Sequence, residues 1–208
     1  MNSPRAFSSV AVLACTASLL MTLTACGSDT DTSATGTSSA THSLTAPATA
    51  TATVDSTCPT TEPGDGAAAE WTLPGAAGSV AVTGSTDKAA PRVAVQTPFT
   101  VSQTQVHTLQ AGEGPVVAST ATVSVCYMGV NGRDGSVFDS SYQRGEPVQF
   151  ALNQVVPGFQ KAIAGQNVGS TVAVAMIPAD GYPEGQPRAG IQPGDTLIFA
   201  IKILSASS

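Results

Sequence analysis

The sequence predicts an α+β domain in which a curved antiparallel β-sheet wraps around one short α-helix. Three observations carry that expectation. From about Val80 onward, apolar residues alternate with period two in several short runs, the mark of strands that turn one face to a core. Segments rich in Gly, Pro, Asn and Asp separate these runs and supply turn chemistry for antiparallel neighbours. Helical spacing is clearest at Pro157 to Ile163. There Phe159, Ala162 and Ile163 stand at i, i+3 and i+4, and proline takes a first helical position, where its missing N–H would have had no partner.

Taken in order, Gln103 to Leu109 opens the core, and a turn through Gly112, Gly114 and Pro115 leads to Thr120–Val130. In that run Val123, Val125 and Tyr127 share the core face, while Thr122, Ser124 and Cys126 share the polar one. The hairpin sequence Asn131-Gly132-Arg133-Asp134-Gly135 delivers the chain to Phe138-Asp139, and a polar turn with Arg144, Gly145 and Pro147 follows. Val148, Phe150 and Leu152 then lie on one face before the helix. After a turn at Gly165–Ser170, Val172, Val174 and Met176 alternate; a Gly- and Pro-rich loop spans Pro178 to Gly194. The last strand sets Leu197, Phe199, Ile201 and Ile203 together. Upstream, Ser79–Thr83 and Arg92–Gln96 are short β-like runs. They define an expected extension over 79–102, ahead of a main domain over 103–208.

The first third of the chain reads differently. Arg5 precedes an apolar run from Val10 to Leu23 that is too short for a comfortable membrane span, and small residues follow, so 1–25 is expected to be a secretory signal peptide. Leu23-Thr24-Ala25-Cys26 resembles the lipobox of bacterial lipoproteins. That resemblance implies lipid attachment at Cys26 and an exported protein anchored to the outer face of the cytoplasmic membrane. Thr, Ser, Ala, Pro and Gly dominate the stretch after it, and 26–78 is expected to be a disordered tether reaching roughly 40 Å. Trp71 within it reads as an isolated docking residue. With Cys15 inside the apolar run and Cys26 acylated, Cys58 and Cys126 remain as an even pair in an oxidising compartment; the sequence leaves their pairing open.

Chemistry is bounded by what is missing from the sequence. A net charge of −6 with only 8 Lys and Arg excludes nucleic acid as a partner. His42 and His107 are far apart and no nucleophile–base pair stands out, so no metal, no cofactor and no covalent step are expected; His107 reads as a surface strand residue.

Three motifs give a specific resemblance: Val137-Phe138-Asp139-Ser140-Ser141, Arg144-Gly145-Glu146-Pro147 and Val155-Val156-Pro157-Gly158-Phe159. Together, over about Gln103 to Leu204, they resemble the FKBP-type peptidyl-prolyl isomerases, whose fold has this order of elements. The resemblance implies an apolar aromatic pocket that accelerates X–Pro rotation without a covalent step. Tyr127, Phe138, Asp139 and Tyr182 would carry the reaction, and Val148, Val155, Val156, Phe159, Ile191 and Phe199 would bind substrate. Phe159 would form the floor, the Val156 N–H and the Tyr182 hydroxyl would donate to substrate carbonyls, Ile191 would close the flap and Arg144 would hold Asp139. It also implies proline-containing unfolded or exported polypeptides as partners, macrolide inhibitors as ligands, and a monomer.

Bland roles stand beside these: ordinary core aromatics, a surface Asp139–Arg144 ion pair, and Tyr182 as a loop anchor. Two departures from the family pattern are visible. Val148 replaces a usual aromatic, and the segment Pro178-Ala179-Asp180-Gly181-Tyr182-Pro183 is one residue shorter than the family's, with proline after the tyrosine. A non-catalytic proline-peptide binding or chaperone module is the alternative function, and a structural surface antigen is a third.

Overall fold

The computed structural model describes residues 57–64 and 66–207. The signal peptide over 1–25, the lipid attachment at Cys26, His42 and the tether up to residue 56 lie outside the described residues. Among the described residues nine strands and two short helices follow one another. β1 is Trp71–Pro74, β2 Ala77–Thr83, β3 Arg92–Thr100, β4 Gln105–Gln110, β5 Thr122–Asn131 and β6 Val137–Ser140. Then come α1 Ser141–Arg144, β7 Val148–Ala151, α2 Pro157–Ile163, β8 Thr171–Met176 and β9 Leu197–Ser207. Short 3₁₀ turns occupy Leu152–Gln154, Pro178–Asp180 and Pro187–Ala189. Among the described residues no helix is long and apolar enough to cross a membrane.

The main sheet runs β4-β8-β9-β5-β6, antiparallel throughout. β5 pairs with β9 along its length; its other edge is shared, with β7 opposite Thr122–Val125 and β6 opposite Met128–Val130. This is the expected sheet on a helix. Val123, Val125, Val172, Val174, Ile201 and Ile203 pack with Ala162 and Ile163 of α2 into one buried core. Pro157 sits in the first turn of α2 as expected. Gly158 lets this helix lie flat on β8, since a Cβ there would come within 2.8 Å of the Met176 sulfur. The polar turn expected after Asp139 contains one helical turn, α1. The Ser140 side chain caps it by accepting from the Gln143 N–H at 3.3 Å, and Gly145 ends it at φ 76°.

The structure corrects the extent of the tether. Residues 57–64 and 66–78 belong to the fold, and β1, β2 and β3 form a three-stranded antiparallel sheet. That sheet covers the face of the main sheet opposite α2: Leu73, Val80, Val82 and Phe99 pack on Ala173, Ala175, Ile198 and Ala200. β8 is therefore buried on both faces, which its run Thr-Val-Ala-Val-Ala-Met permits because the alanines leave room for a second layer. β1 has only four residues, too few to display a period; it is a strand because it pairs with β2 and buries Leu73. Trp71 stacks on His107 of β4, with ring centroids 5.6 Å apart and planes within 7°. His107 is thus the surface strand residue expected, but with a partner.

Cys58 and Cys126 are joined in a disulfide, with Cα atoms 5.7 Å apart and both residues buried. The Cys58 N–H donates to the Gly145 carbonyl at 3.0 Å, and the Tyr142 hydroxyl donates to Ser85 at 2.8 Å. Cys58 is therefore fixed against β5 and against the turn that ends α1, and the connection between β2 and β3 is tied to α1 at Ser85.

Candidate active site

Above α2, on the core face of the main sheet, lies a cavity of about 370 Å³. This is the size range of small-ligand sites. Tyr127, Phe138, Asp139, Phe150, Gln154, Val155, Val156, Phe159, Tyr182 and Phe199 line it. Eight of the ten residues expected at a reaction or binding position are therefore brought together.

Val148 and Ile191 are not among the residues that line it; both pack in the core cluster. Val148 is half-buried against the core, and Phe150, two residues on and on the same face, lines the cavity. Ile191 is buried in the core because Gln186 and Ile191 pair through both backbone hydrogen bonds, at 2.8 and 3.1 Å, which turns that part of the loop inward.

The cup is a set of edge-to-face rings centred on Phe159. Its centroid lies 5.4 Å from Phe199, 5.5 Å from Phe150 and 5.9 Å from Tyr127, at interplanar angles of 81°, 73° and 85°. Phe138 meets Phe199 at 5.5 Å and 86°. Such contacts set the positive ring edge against the negative face and lock each ring's orientation. Gly129 makes this closure possible: a Cβ at that position on β5 would lie 2.6 Å from Phe138 and 2.9 Å from Phe199. Neither Gly129 nor Gln154, which ends the 3₁₀ turn before Val155, was singled out by sequence reasoning. The signal for Gly129 was a lone glycine in an apolar strand, which often marks close approach of another group.

At the rim three polar side chains interlock. The Tyr127 hydroxyl donates to Asp139 Oδ2, Arg144 Nη1 donates to Asp139 Oδ1 at 2.6 Å, and Arg144 Nη2 donates to the Tyr127 oxygen at 3.3 Å. Burial and then the bond to Asp139 push the Tyr127 pKa up to about 12, against the smaller opposing pull of Arg144, so the phenol is a neutral donor at physiological pH. Bonds to Asp139 and Tyr127 raise the Arg144 pKa further. Ser141 fixes the tyrosine from behind, its Oγ accepting the Tyr127 N–H at 2.8 Å; sequence reasoning quoted Ser141 only as part of a motif.

Two donors on residues that line the cavity are unengaged. Among the described residues the Tyr182 hydroxyl has no protein partner, and neither has the Val156 N–H, although the Val156 carbonyl accepts from Phe159 and Gln160 at 3.0 and 3.2 Å. Among the described residues no three of His, Cys, Asp and Glu come together as a metal would require. The site thus offers apolar walls, unengaged donors at Val156 and Tyr182, the Gln154 amide, and one carboxylate held in an ion pair with Arg144.

Comparison with known proteins agrees with this geometry. The family model for FKBP-type peptidyl-prolyl cis-trans isomerases matches residues 99–204. A probable FKBP-type isomerase of Haemophilus influenzae is 39% identical over 97 residues, and the FKBP-type 22 kDa isomerase of Escherichia coli is 39% identical over 105. These matches cover 47% and 50% of this chain and 40% and 50% of those proteins, so the chain spans about half the length of these relatives or less. An FK506-binding protein of Streptomyces anulatus is 40% identical over 99 residues, covering 45% of this chain and 78% of that protein. The matched range holds the main sheet up to Leu204 of β9, α2 and every residue of the cup, and by that match the chain belongs to the FKBP-type peptidyl-prolyl cis-trans isomerase family.

Proposed function

We propose that this chain is a peptidyl-prolyl cis-trans isomerase that acts on proline-containing segments of exported polypeptides. The observation that carries the reading is the aromatic cup, an apolar site with a few donors at its lining and no nucleophile–base pair. Rotation about an X–Pro bond faces a barrier of about 18–20 kcal/mol because the planar amide is resonance-stabilised. At the twisted transition state that resonance is lost and the carbonyl is less polar. An apolar cup therefore favours the twisted amide over the planar one, a difference that lowers the barrier rather than merely tightening binding.

In this reading Phe159 supports the proline ring from below while Tyr127, Phe138, Phe150 and Phe199 enclose it. The Val156 N–H and the Tyr182 hydroxyl hold the flanking carbonyls and so fix one side of the rotating bond. Asp139, engaged by Tyr127 and Arg144, borders the bond as a fixed dipole rather than as a base. No proton or covalent bond is exchanged. Macrolides that fill the same cup would compete with peptide.

The test is relaxation of a short X–Pro peptide from cis to trans in the presence of the protein, titrated with rapamycin. Acceleration in proportion to protein, suppressed by the macrolide, supports the isomerase. A folded protein that binds the peptide without accelerating it assigns a binding or chaperone module instead.

We also propose that the protein is exported and held to the outer face of the cytoplasmic membrane through lipid on Cys26, as a monomer. The Leu-Thr-Ala-Cys sequence supports this, and so does a disulfide that suits an oxidising compartment. Inhibition of lipoprotein processing should change the protein's size and detergent partitioning; no change would remove the anchor.

A further inference from the structure

The loop Pro178–Gly194 carries Tyr182, and it is pinned at both ends. At the far end Asp195, buried, accepts from Asn131 Nδ2 at 2.6 Å, from the Gln192 N–H at 2.8 Å and from Arg133 Nε at 3.2 Å. Arg133 also donates to the Gly190 carbonyl at 3.2 Å. At the near end both Asp180 oxygens meet Lys161 Nζ, at 2.8 and 2.7 Å, and one of them also accepts from the Thr104 hydroxyl. The Thr104 oxygen in turn accepts the Ile177 N–H at 3.2 Å.

Lys161 stands on α2 two residues after Phe159, and Asp180 stands two residues before Tyr182. One carboxylate therefore ties the helix that carries the cup floor to the chain that carries the unengaged phenol. Since no described protein group holds the Tyr182 hydroxyl, its place at the cavity is set by the packing of its ring on the core and by the course of the loop backbone. Resting on the isomerase reading, we propose that Asp180 and Lys161 are positioning residues for Tyr182, setting the distance between its hydroxyl and the cup. This is a device for a loop one residue shorter than the family pattern.

The Lys161 side chain is 56% exposed, so the ion pair adds little to stability, and its loss should be read in turnover rather than in unfolding. The experiment is a double-mutant cycle in the prolyl-peptide assay. Lys161→Met and Asp180→Asn are each expected to lower kcat/KM about tenfold, the scale of a donor displaced by a fraction of an ångström. Lys161→Arg, which keeps the pair, retains most of it. In a Tyr182→Phe background, where the hydroxyl is already gone, the same two substitutions add nothing further. Undiminished kcat/KM in both clamp variants, or losses that add fully in the Tyr182→Phe background, would overturn the role. If the unmutated, folded protein accelerates nothing, the isomerase reading itself falls and this role with it, an outcome distinct from an active enzyme with additive losses.

Discussion

Replacing both Cys58 and Cys126 with alanine is predicted to remove a large share of this protein's stability while leaving the core face of the main sheet intact. The two cysteines are separated by 68 residues. Closing a loop of that length removes denatured-state entropy worth about 4 kcal/mol at 25 °C in the chain-entropy model. Domains of this kind are commonly stable by about 5–15 kcal/mol in total. The closed loop includes β1, β2 and β3, so the bond restrains the whole second sheet in the denatured chain. Urea unfolding of the oxidised protein and of the double variant, with midpoint and slope measured separately, gives the difference. The protein used must begin between Gly27 and Thr57, which keeps Cys58 and excludes the further thiols of Cys15 and Cys26. A loss below about 1 kcal/mol, or two reactive thiols in the denatured but unreduced protein, would refute the reasoning.

Other perturbations read other parts of the structure. Phe99→Ala, at a fully buried position between the two sheets, should cost about 3–5 kcal/mol in urea unfolding, showing that the second sheet is part of the same core. Gly129→Ala forces Phe138 and Phe199 apart and should cost about 1–3 kcal/mol while lowering isomerase activity more than peptide affinity. In alkali, Tyr127 titrates near 12 in the fold against about 10 in the unfolded chain. Its neutral form therefore contributes stability in full below pH 10 that is lost as pH rises toward 12; Tyr142, also raised by burial, acts in the same direction. Thermal unfolding from pH 7 to 11 should be flat in this respect until about pH 10 and then decline, and a Tyr127→Phe variant should decline less. In acid, Lys161 and then Thr104 hold the Asp180 pKa below the usual carboxylate range, so that clamp persists at neutral pH and is lost as pH falls through the lowered value.

Most of the main domain was legible because strand alternation and a proline-initiated helix are local signals. Val172, Val174 and Met176 announce one face of β8 directly. The opposite face stayed hidden, since Ala173 and Ala175 look neutral in sequence and acquire meaning only when Val80, Val82 and Phe99 lie over them. β1 was lost inside a low-complexity stretch for the same reason: its four residues are a strand through pairing with β2, not through their own pattern. At the site, the expected positions Phe159, Tyr127 and Val156 all line the cavity. Val148 and Ile191 instead pack in the core beside it, a placement that depends on how the loop around Ile191 folds back and that no motif position displays. Ser141 and Gly129 act by holding or clearing space for other residues, a relation that no single position displays.

The central claim is that the aromatic cup lowers the barrier to prolyl rotation. Its most direct test compares cis-to-trans relaxation of one X–Pro peptide under the unmutated protein and under Phe159→Leu and Tyr127→Ala variants whose fold is verified by their unfolding transitions. The account predicts acceleration by the unmutated protein and its loss in both folded variants; undiminished acceleration after either substitution would contradict it.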